Sequence, residues 1–174
     1  DSATYAPMNY GLLYNWNAAV DTFNTAYGEL SVNTYYNDAV SVTFNGHRRG
    51  ICPAGWHLPS DAEWTQLTDY VGSRYACGDN DGSIARALAD RVGWINSSYT
   101  CAVGRNQSTN NATGFSAVPA DAGYGAYFWS ATQYYNTDAY YRCLYNSSEY
   151  VARFSSDKYY GHSVRCLRDA SGGG

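Results

Sequence analysis

Lysine is almost absent: Lys158 stands alone beside ten arginines. Charged residues make up 15% of the 174-residue chain, against about 25% in ordinary soluble domains. The formal net charge is −4. That balance excludes nucleic acid as the main partner, because nothing supplies a phosphate-neutralising surface. No run approaches the ~20 apolar residues of a membrane span, so neither a transmembrane helix nor direct membrane insertion is expected. No signal peptide opens the chain, whose first residue is Asp1, so it reads as a mature form or an excised piece. HExxH, GxSxG and GxGxxG are all missing, which removes the common metalloprotease, hydrolase and dinucleotide signatures. CxxC is missing too, which argues against zinc and thioredoxin-type sites. No internal repeat stands out.

What is present fits one domain over residues 1–170. Ser171-Gly172-Gly173-Gly174 reads as a linker or tag remnant. Residues 1–46, around Gly11-Leu12-Leu13-Tyr14-Asn15-Trp16, read as strand and loop. Two helices can be placed. Ser60-Asp61-Ala62-Glu63 is a capping box. Trp64, Leu67 and Val71 follow at helical spacing, and Gly72 is expected to stop that helix. The second helix is expected from Ser83, with Ile84, Ala87, Leu88 and Arg91 on one face and Gly93 at its end. Residues 96–126 read mostly as loops. Residues 127–168 read as short strands, broken by turns at Asn146-Ser147-Ser148 and Ser155-Ser156-Asp157. Tyr150, Ala152 and Phe154 alternate with Val151 and Arg153 as in a half-exposed strand. Ser163-Val164-Arg165-Cys166-Leu167 is the expected last strand. Few helices, short strands and long polar loops give an α+β class.

Candidate chemistry is sparse. His57, between Trp56 and Leu58-Pro59, reads as a hydrogen-bonded structural histidine. His47, beside Arg48 and Arg49, reads as a loop residue. Asp79-Asn80-Asp81-Gly82 offers oxygen ligands for Ca²⁺ but lacks the spacing and terminal Glu of an EF-hand, so it reads as a solvated turn. Cys143 or Cys166 with a histidine could form a nucleophile pair, but a cystine or an inert buried thiol is the commoner fate. No catalytic residue, metal site or cofactor is therefore expected. Five cysteines, Cys52, Cys77, Cys101, Cys143 and Cys166, leave at least one thiol free or bonded to another chain. Two bridges among them allow ~15 arrangements, so spacing alone does not set connectivity. Sequons occur at Asn96, Asn106, Asn111 and Asn146.

The tyrosines carry more information. Eight of the 30 residues from Gln133 to His162 are Tyr, against 19 of 174 overall. Four Ser and two Asn accompany them. Antibody loops use this palette because Tyr gives large contact area with few rotors, while Ser and Asn adapt their hydrogen bonds. A Tyr-rich sheet packed on itself is the alternative. Adjacent pairs such as Tyr134-Tyr135 and Tyr159-Tyr160 cannot both point inward along a strand, which favours a binding surface.

These residues sit in a wider resemblance. Gly50-Ile51-Cys52-Pro53-Ala54-Gly55-Trp56-His57-Leu58-Pro59-Ser60-Asp61-Ala62-Glu63-Trp64 resembles the signature of the Fibrobacter succinogenes major paralogous domain. Gly11 to Trp16, Gly114-Phe115-Ser116-Ala117-Val118-Pro119-Ala120, Phe128-Trp129-Ser130-Ala131-Thr132 and Gly161 to Leu167 resemble its further motifs, in order. The resemblance implies a C-type lectin-like fold with two helices, short and mostly antiparallel strands, and long loops. It implies a core formed or lined by Trp56, Leu58, Trp64, Leu67, Phe115, Trp129, Val164 and Cys166. Cys52 and Cys166 lie in motifs on strands that adjoin in that fold, so pairing or close packing is expected there. Cys77 and Cys101 lie outside the motifs and are expected to bridge locally after the first helix.

The resemblance also implies a function. Such domains serve as variable proteins of diversity-generating retroelements, which mutate adenines in the codons of a C-terminal patch. The patch binds protein or glycan ligands on a cell or phage target. One adenine change turns a Tyr codon into a Cys codon, which accounts for the unpaired Cys143. Glu149 and Lys158 do not arise from such codons and read as fixed framework. The expected variable residues are Tyr134, Tyr135, Asn136, Asp138, Tyr140 and Arg142, then Cys143, Tyr145, Asn146, Ser147 and Tyr150. Ala152, Phe154, Ser155, Asp157, Tyr160 and His162 complete them. An extracellular or cell-surface place follows, on a bacterial surface, pilus tip or phage particle. An invariant structural or carbohydrate-binding surface domain is the alternative. A formylglycine-generating-type oxidase is also similar over Leu58 to Trp64, but its Gly-Asn-Val-Trp-Glu-Trp stretch and paired C-terminal cysteines are missing.

Overall fold

The computed structural model describes residues 11–21 and 47–170, together with the strand Thr4–Tyr5. The linker expected at 171–174, and residues 1–3, 6–10 and 22–46 of the opening zone, lie outside the described residues. Strand β1 (Thr4–Tyr5) pairs antiparallel with β2 (Leu12–Leu13). The chain then enters a short helix, α1 (Trp16–Ala19), where strand and loop were expected. Asn15 is the reason: its side chain accepts from the Ala18 amide at 2.8 Å and caps the turn.

After β3 (Trp56–His57), helix α2 (Asp61–Tyr75) starts where the capping box places it. Ser60 Oγ accepts from the Glu63 amide at 3.2 Å, and Glu63 Oε2 accepts from the Ser60 amide at 2.9 Å. Trp64 and Val71 are buried and Leu67 packs beside them. Gly72 does not stop the helix, which continues to Tyr75. The glycine serves packing instead: a Cβ there would meet the Asp81 carbonyl at 2.6 Å. The second expected helix is also corrected. Its helical part, α3, spans Ala85–Leu88 alone. Ala89 turns extended and bridges Ala117, with the Asp90 amide bonding the Ala117 carbonyl at 2.8 Å. Tertiary pairing outbids helix propensity there.

Strands β4 (Gly125–Gln133), β5 (Asp138–Tyr145) and β6 (Val151–Asp157) form an antiparallel meander in that order. The turn at 146–148 forms as expected, but Ser155-Ser156-Asp157 is strand, paired with Asp138 to Tyr140 across the ladder. The last strand, β7, is short, Leu167–Arg168, and pairs antiparallel with β3. Ser163, expected to begin it, instead makes an isolated bridge to Phe128. Mixed short helices and antiparallel strands make the architecture α+β. No helix among the described residues is long and apolar enough to cross a membrane.

Two buried clusters hold these elements. One joins α2, α3 and the meander through Trp64, Leu88, Phe128 and Leu144. The other joins α1 to the meander through Trp16, Val20, Leu58 and Trp129. Trp16 Nε1 donates to the Ser130 carbonyl at 2.8 Å, and Trp129 Nε1 to the Tyr14 carbonyl at 2.7 Å. Phe115, Val164 and Cys166 pack at the cluster edges. Trp56 is a correction: it is 39% exposed, because alternation along β3 turns its side chain outward while that of His57 turns inward and is buried. Disulfides link Cys52 to Cys166 and Cys77 to Cys101. They close sequence separations of 114 and 24 residues, contributing about 5 and about 3 kcal/mol on a chain-entropy basis.

Candidate functional site

Strand alternation divides the meander's side chains between two faces. Register puts Ala126, Phe128, Arg142, Leu144, Val151 and Arg153 on one face. Helix α2 covers it. Phe128 packs on Trp64 with ring centroids 5.8 Å apart. Arg142 gives Nη1 to Asp61 Oδ1 at 2.5 Å, and Nη2 to the Asp61 carbonyl at 3.2 Å and Thr65 Oγ1 at 3.1 Å. Arg153 reaches the same carboxylate, Nη2 to Oδ2 at 2.8 Å. Burial works against the Asp61 charge, but hydrogen bonds from Arg153 and Arg142 outweigh it and hold the carboxyl below its usual range.

The opposite face carries Tyr127, Trp129, Tyr141, Cys143, Tyr145, Ala152 and Phe154. One end is covered by His162, whose ring lies 4.2 Å from Trp129 and 4.6 Å from Tyr141. Beyond that, Tyr127, Tyr141, Tyr145 and Ala152 are half-buried, and Phe154 is 51% exposed. Tyr127 meets Tyr145 edge-on at 5.9 Å, and Tyr141 meets Phe154 at 6.2 Å. The buried Cys143 lies between Tyr141 and Tyr145 along the strand and forms the floor. Burial pushes the Cys143 thiol up, and it also pushes up the hydroxyls of Tyr127, Tyr141 and Tyr145. The shelf is therefore uncharged at neutral pH and presents aromatic faces with hydroxyl donors.

The expected variable residues do not all meet on this shelf. Tyr145, Ala152 and Phe154 do. A second group gathers at the β4–β5 hairpin end of the sheet. Tyr134, Tyr135 and Asn136 are exposed there, and Tyr134 lies 4.2 Å from Tyr135 and 5.0 Å from Tyr140. Asp138, Tyr140, Ser155 and Asp157 are partly buried at the same end, and Tyr160 is exposed just after it. Lys158 ties this end together, donating to Gln133 Oε1 at 2.6 Å and to the Asn136 carbonyl at 2.7 Å. The third group, Asn146, Ser147 and Tyr150, sits at the far end. Asn146 is used there to dock a loop, with Nδ2 to the Ile95 carbonyl at 3.3 Å.

Three of the expected contact residues are corrections, because they are buried. Arg142 points under α2 to Asp61. Cys143 is the shelf floor. His162 fills the space above Trp129 and accepts or donates one hydrogen bond, Nε2 to Ser156 Oγ at 3.1 Å. Burial depresses its pKa to about 4. Sequence reasoning also missed Tyr127 and Tyr141. Counting back by two from Cys143 and Tyr145 would have found Tyr141, had the strand's two faces been separated.

A different constellation lies at the start of α2. The His57 side chain is 4% exposed, and it is hydrogen-bonded, as expected. Its Nδ1 is 2.6 Å from Asp169 Oδ1, and its Nε2 is 3.0 Å from Glu63 Oε1. His47, expected as a loop residue, brings Nδ1 to 3.0 Å from His57 Nε2 and 3.3 Å from Glu63 Oε1. The bridge between Arg48 and Leu58 carries it there. Burial opposes charge on His57, but Asp169 and Glu63 outweigh it and raise the pKa. No regular spacing connects residues 47, 57 and 63, so sequence had no signal for this meeting.

No curated protein and no solved structure matches the chain. The family model described as the Fibrobacter succinogenes major domain matches residues 1–168, nearly its full length, and the chain belongs to that family.

Proposed function

We propose that this domain is a non-enzymatic binding module with a C-type lectin-like fold, displayed outside the cell, whose C-terminal surface is diversified by a retroelement. The observation that carries this reading is the uncharged shelf of Tyr127, Tyr141, Tyr145 and Phe154, left half-open on a meander whose other face is fixed to α2. Stacking on such rings anchors a protein or glycan ligand, and the hydroxyls supply directional bonds. The hairpin-end tyrosines extend the surface at its rim. The scaffold is preformed, which lowers the ordering cost of binding. The closing pair of β3 with β7 and the bridge from Cys52 to Cys166, which bring the 52–57 and 166–168 segments together, support the fold assignment. Two disulfides support an oxidising location. An oxidase reading is weakened because Cys143, the one free cysteine, is buried with its thiol pushed up, opposite to what a nucleophile needs.

Sequencing the encoding locus tests this. We expect a second copy of the segment coding residues 133–162, differing where that copy has adenine, near a reverse-transcriptase gene. The differences should include the codons of Tyr141, Cys143, Tyr145, Ala152 and Phe154. A locus without such a copy would overturn the diversified reading and leave an invariant surface domain.

A further inference from the structure

Among the described residues, one group of side chains converges as metal ligands do: His47, His57 and Glu63. The three nearest atoms form a small triangle with sides of 3.0, 3.0 and 3.3 Å. Hydrogen bonding does not complete it. A ring nitrogen either donates or accepts, not both, so no placement of protons gives each of the three contacts its own bond. A cation accepts a lone pair from all three at once. Ligands about 2.0–2.1 Å from a tetrahedral zinc ion stand about 3.3 Å from one another, close to the sides of this triangle.

The surroundings are built for the same purpose. Asp169 Oδ1 accepts a hydrogen bond from His57 Nδ1 at 2.6 Å, so in the neutral ring the Nε2 lone pair faces inward, where a bound cation would take the place of the proton. A carboxylate behind a ligating imidazole is the usual way a ring is oriented and made more basic. Glu63 is oriented as well. Its Oε2 is held by the Ser60 amide and hydroxyl, both at 2.9 Å, so Oε1 alone points at the two rings. His57 is buried and rigid, whereas the His47 side chain is 65% exposed. The site therefore opens on the His47 side. The two rings now lie 4.1 Å apart, tilted by 56°. The exposed His47 has the freedom to swing into a radial position.

We propose that His47 Nδ1, His57 Nε2 and Glu63 Oε1 bind one zinc ion, with Asp169 as the positioning residue behind His57 and the fourth position open to solvent. The ion would clamp three separate pieces: the segment entering at His47, strand β3 through His57, and the first turn of α2, with the chain beyond β7 tied in behind His57 through Asp169. Zinc suits the two-nitrogen, one-oxygen set and its tetrahedral spacing. The site lies apart from the aromatic shelf and does not depend on the binding function proposed for it.

Titration of tag-free protein with Co²⁺, followed by displacement with Zn²⁺, tests the assignment. We expect saturation at one equivalent, the intense visible absorption of four-coordinate Co²⁺, and loss of that band on adding Zn²⁺. His47→Ala removes an exposed ligand without touching the core, so it should fold and abolish the band. Asp169→Asn should keep the band but weaken affinity by roughly 10–100-fold. Circular dichroism checks that both variants are folded. Absence of saturable uptake by the parent protein would overturn the proposal. So would one-equivalent uptake that survives in His47→Ala, or that disappears instead in Asp81→Asn.

Discussion

The two faces of the meander are built from one stretch of chain yet meet different fates. On one face, Arg142 and Arg153 close on Asp61, and Phe128 packs on Trp64. On the other, tyrosines of similar size stay half-open around a buried thiol. Alternate residues of β5 thus answer to opposite demands. Residues 142 and 144 hold the sheet to α2, while Tyr145 is free of that duty and Tyr141 is half-buried at the edge of the Trp16 and Trp129 cluster. A surface can change only where its side chains do not hold the scaffold, and here the boundary falls between neighbouring residues.

The sharpest break in this comparison comes from the covered face. Removing Arg142 leaves Asp61 partly buried with Arg153 as its remaining guanidinium partner. Hydrogen bonds that involve a charged group contribute about 1.5–3 kcal/mol each. Removal gives up several of these, to Asp61 and Thr65, while Arg153 keeps the Asp61 charge compensated, so a net loss of about 3 kcal/mol is expected. Arg142→Ala should lose that much in urea unfolding, although the sequence placed Arg142 among ligand contacts. A loss under about 1 kcal/mol would mean the covered face is no more structural than the shelf.

His162 marks where the open face becomes core. Its ring is buried against Trp129 and Tyr141, with its pKa near 4 instead of about 6.5. Between those values the unfolded chain binds the proton and the folded chain does not. Stability is therefore intact above pH ~6.5 and falls as the pH drops toward 4, by about 3 kcal/mol from this residue. The difference between the wild type and His162→Gln, measured by urea unfolding from pH 7 to 4, isolates that slope. Parallel curves would place His162 in solvent and return it to the binding surface.

Cys143 probes the shelf floor with a smaller energy. The thiol is fully buried and pushed up by that burial, so a thiol reagent should not label it in the native protein at neutral pH. Labelling should appear in urea together with global unfolding. Rapid labelling of the folded chain would mean the floor opens to solvent and is itself available to a ligand.

Local signals were legible where they rest on adjacent residues. The capping box at Ser60 and Glu63 set the start of α2, and turn residues at 146–148 set the β5–β6 connection. The Cys52–Cys166 partnership followed from the family resemblance, while Cys77–Cys101 was expected as a local bridge between two cysteines outside its motifs. Signals that depend on distant partners were hidden. Gly72 looked like a helix stop because nothing local reveals the Asp81 carbonyl lying against it. The helix from Ser83 looked longer because the Ala117 bridge that ends it is 28 residues away from Ala89. Tyrosine richness located the candidate surface, but composition is blind to faces. The tyrosine count included Tyr141, but the variable set implied by the resemblance gathered Arg142 and Cys143 with Tyr145 and left Tyr141 out.

Phe154 gives the smallest effect on stability and the finest test of the contrast. It sits on the shelf side of β6, one residue from Arg153, and half of it is exposed. Its ring meets Tyr141 at 6.2 Å, a contact at the margin of aromatic pairing. Phe154→Ala should shift unfolding by only about 0.5 kcal/mol, as surface substitutions do. Once a ligand is found by a glycan and protein screen, the same variant should bind it at least about tenfold more weakly, as loss of an aromatic anchor does. Equal melting with weaker binding separates a face that recognises from a face that supports. If Phe154→Ala instead destabilised the fold as strongly as Arg142→Ala, the shelf would be packing surface, and the distinction between neighbouring residues of one strand would fail.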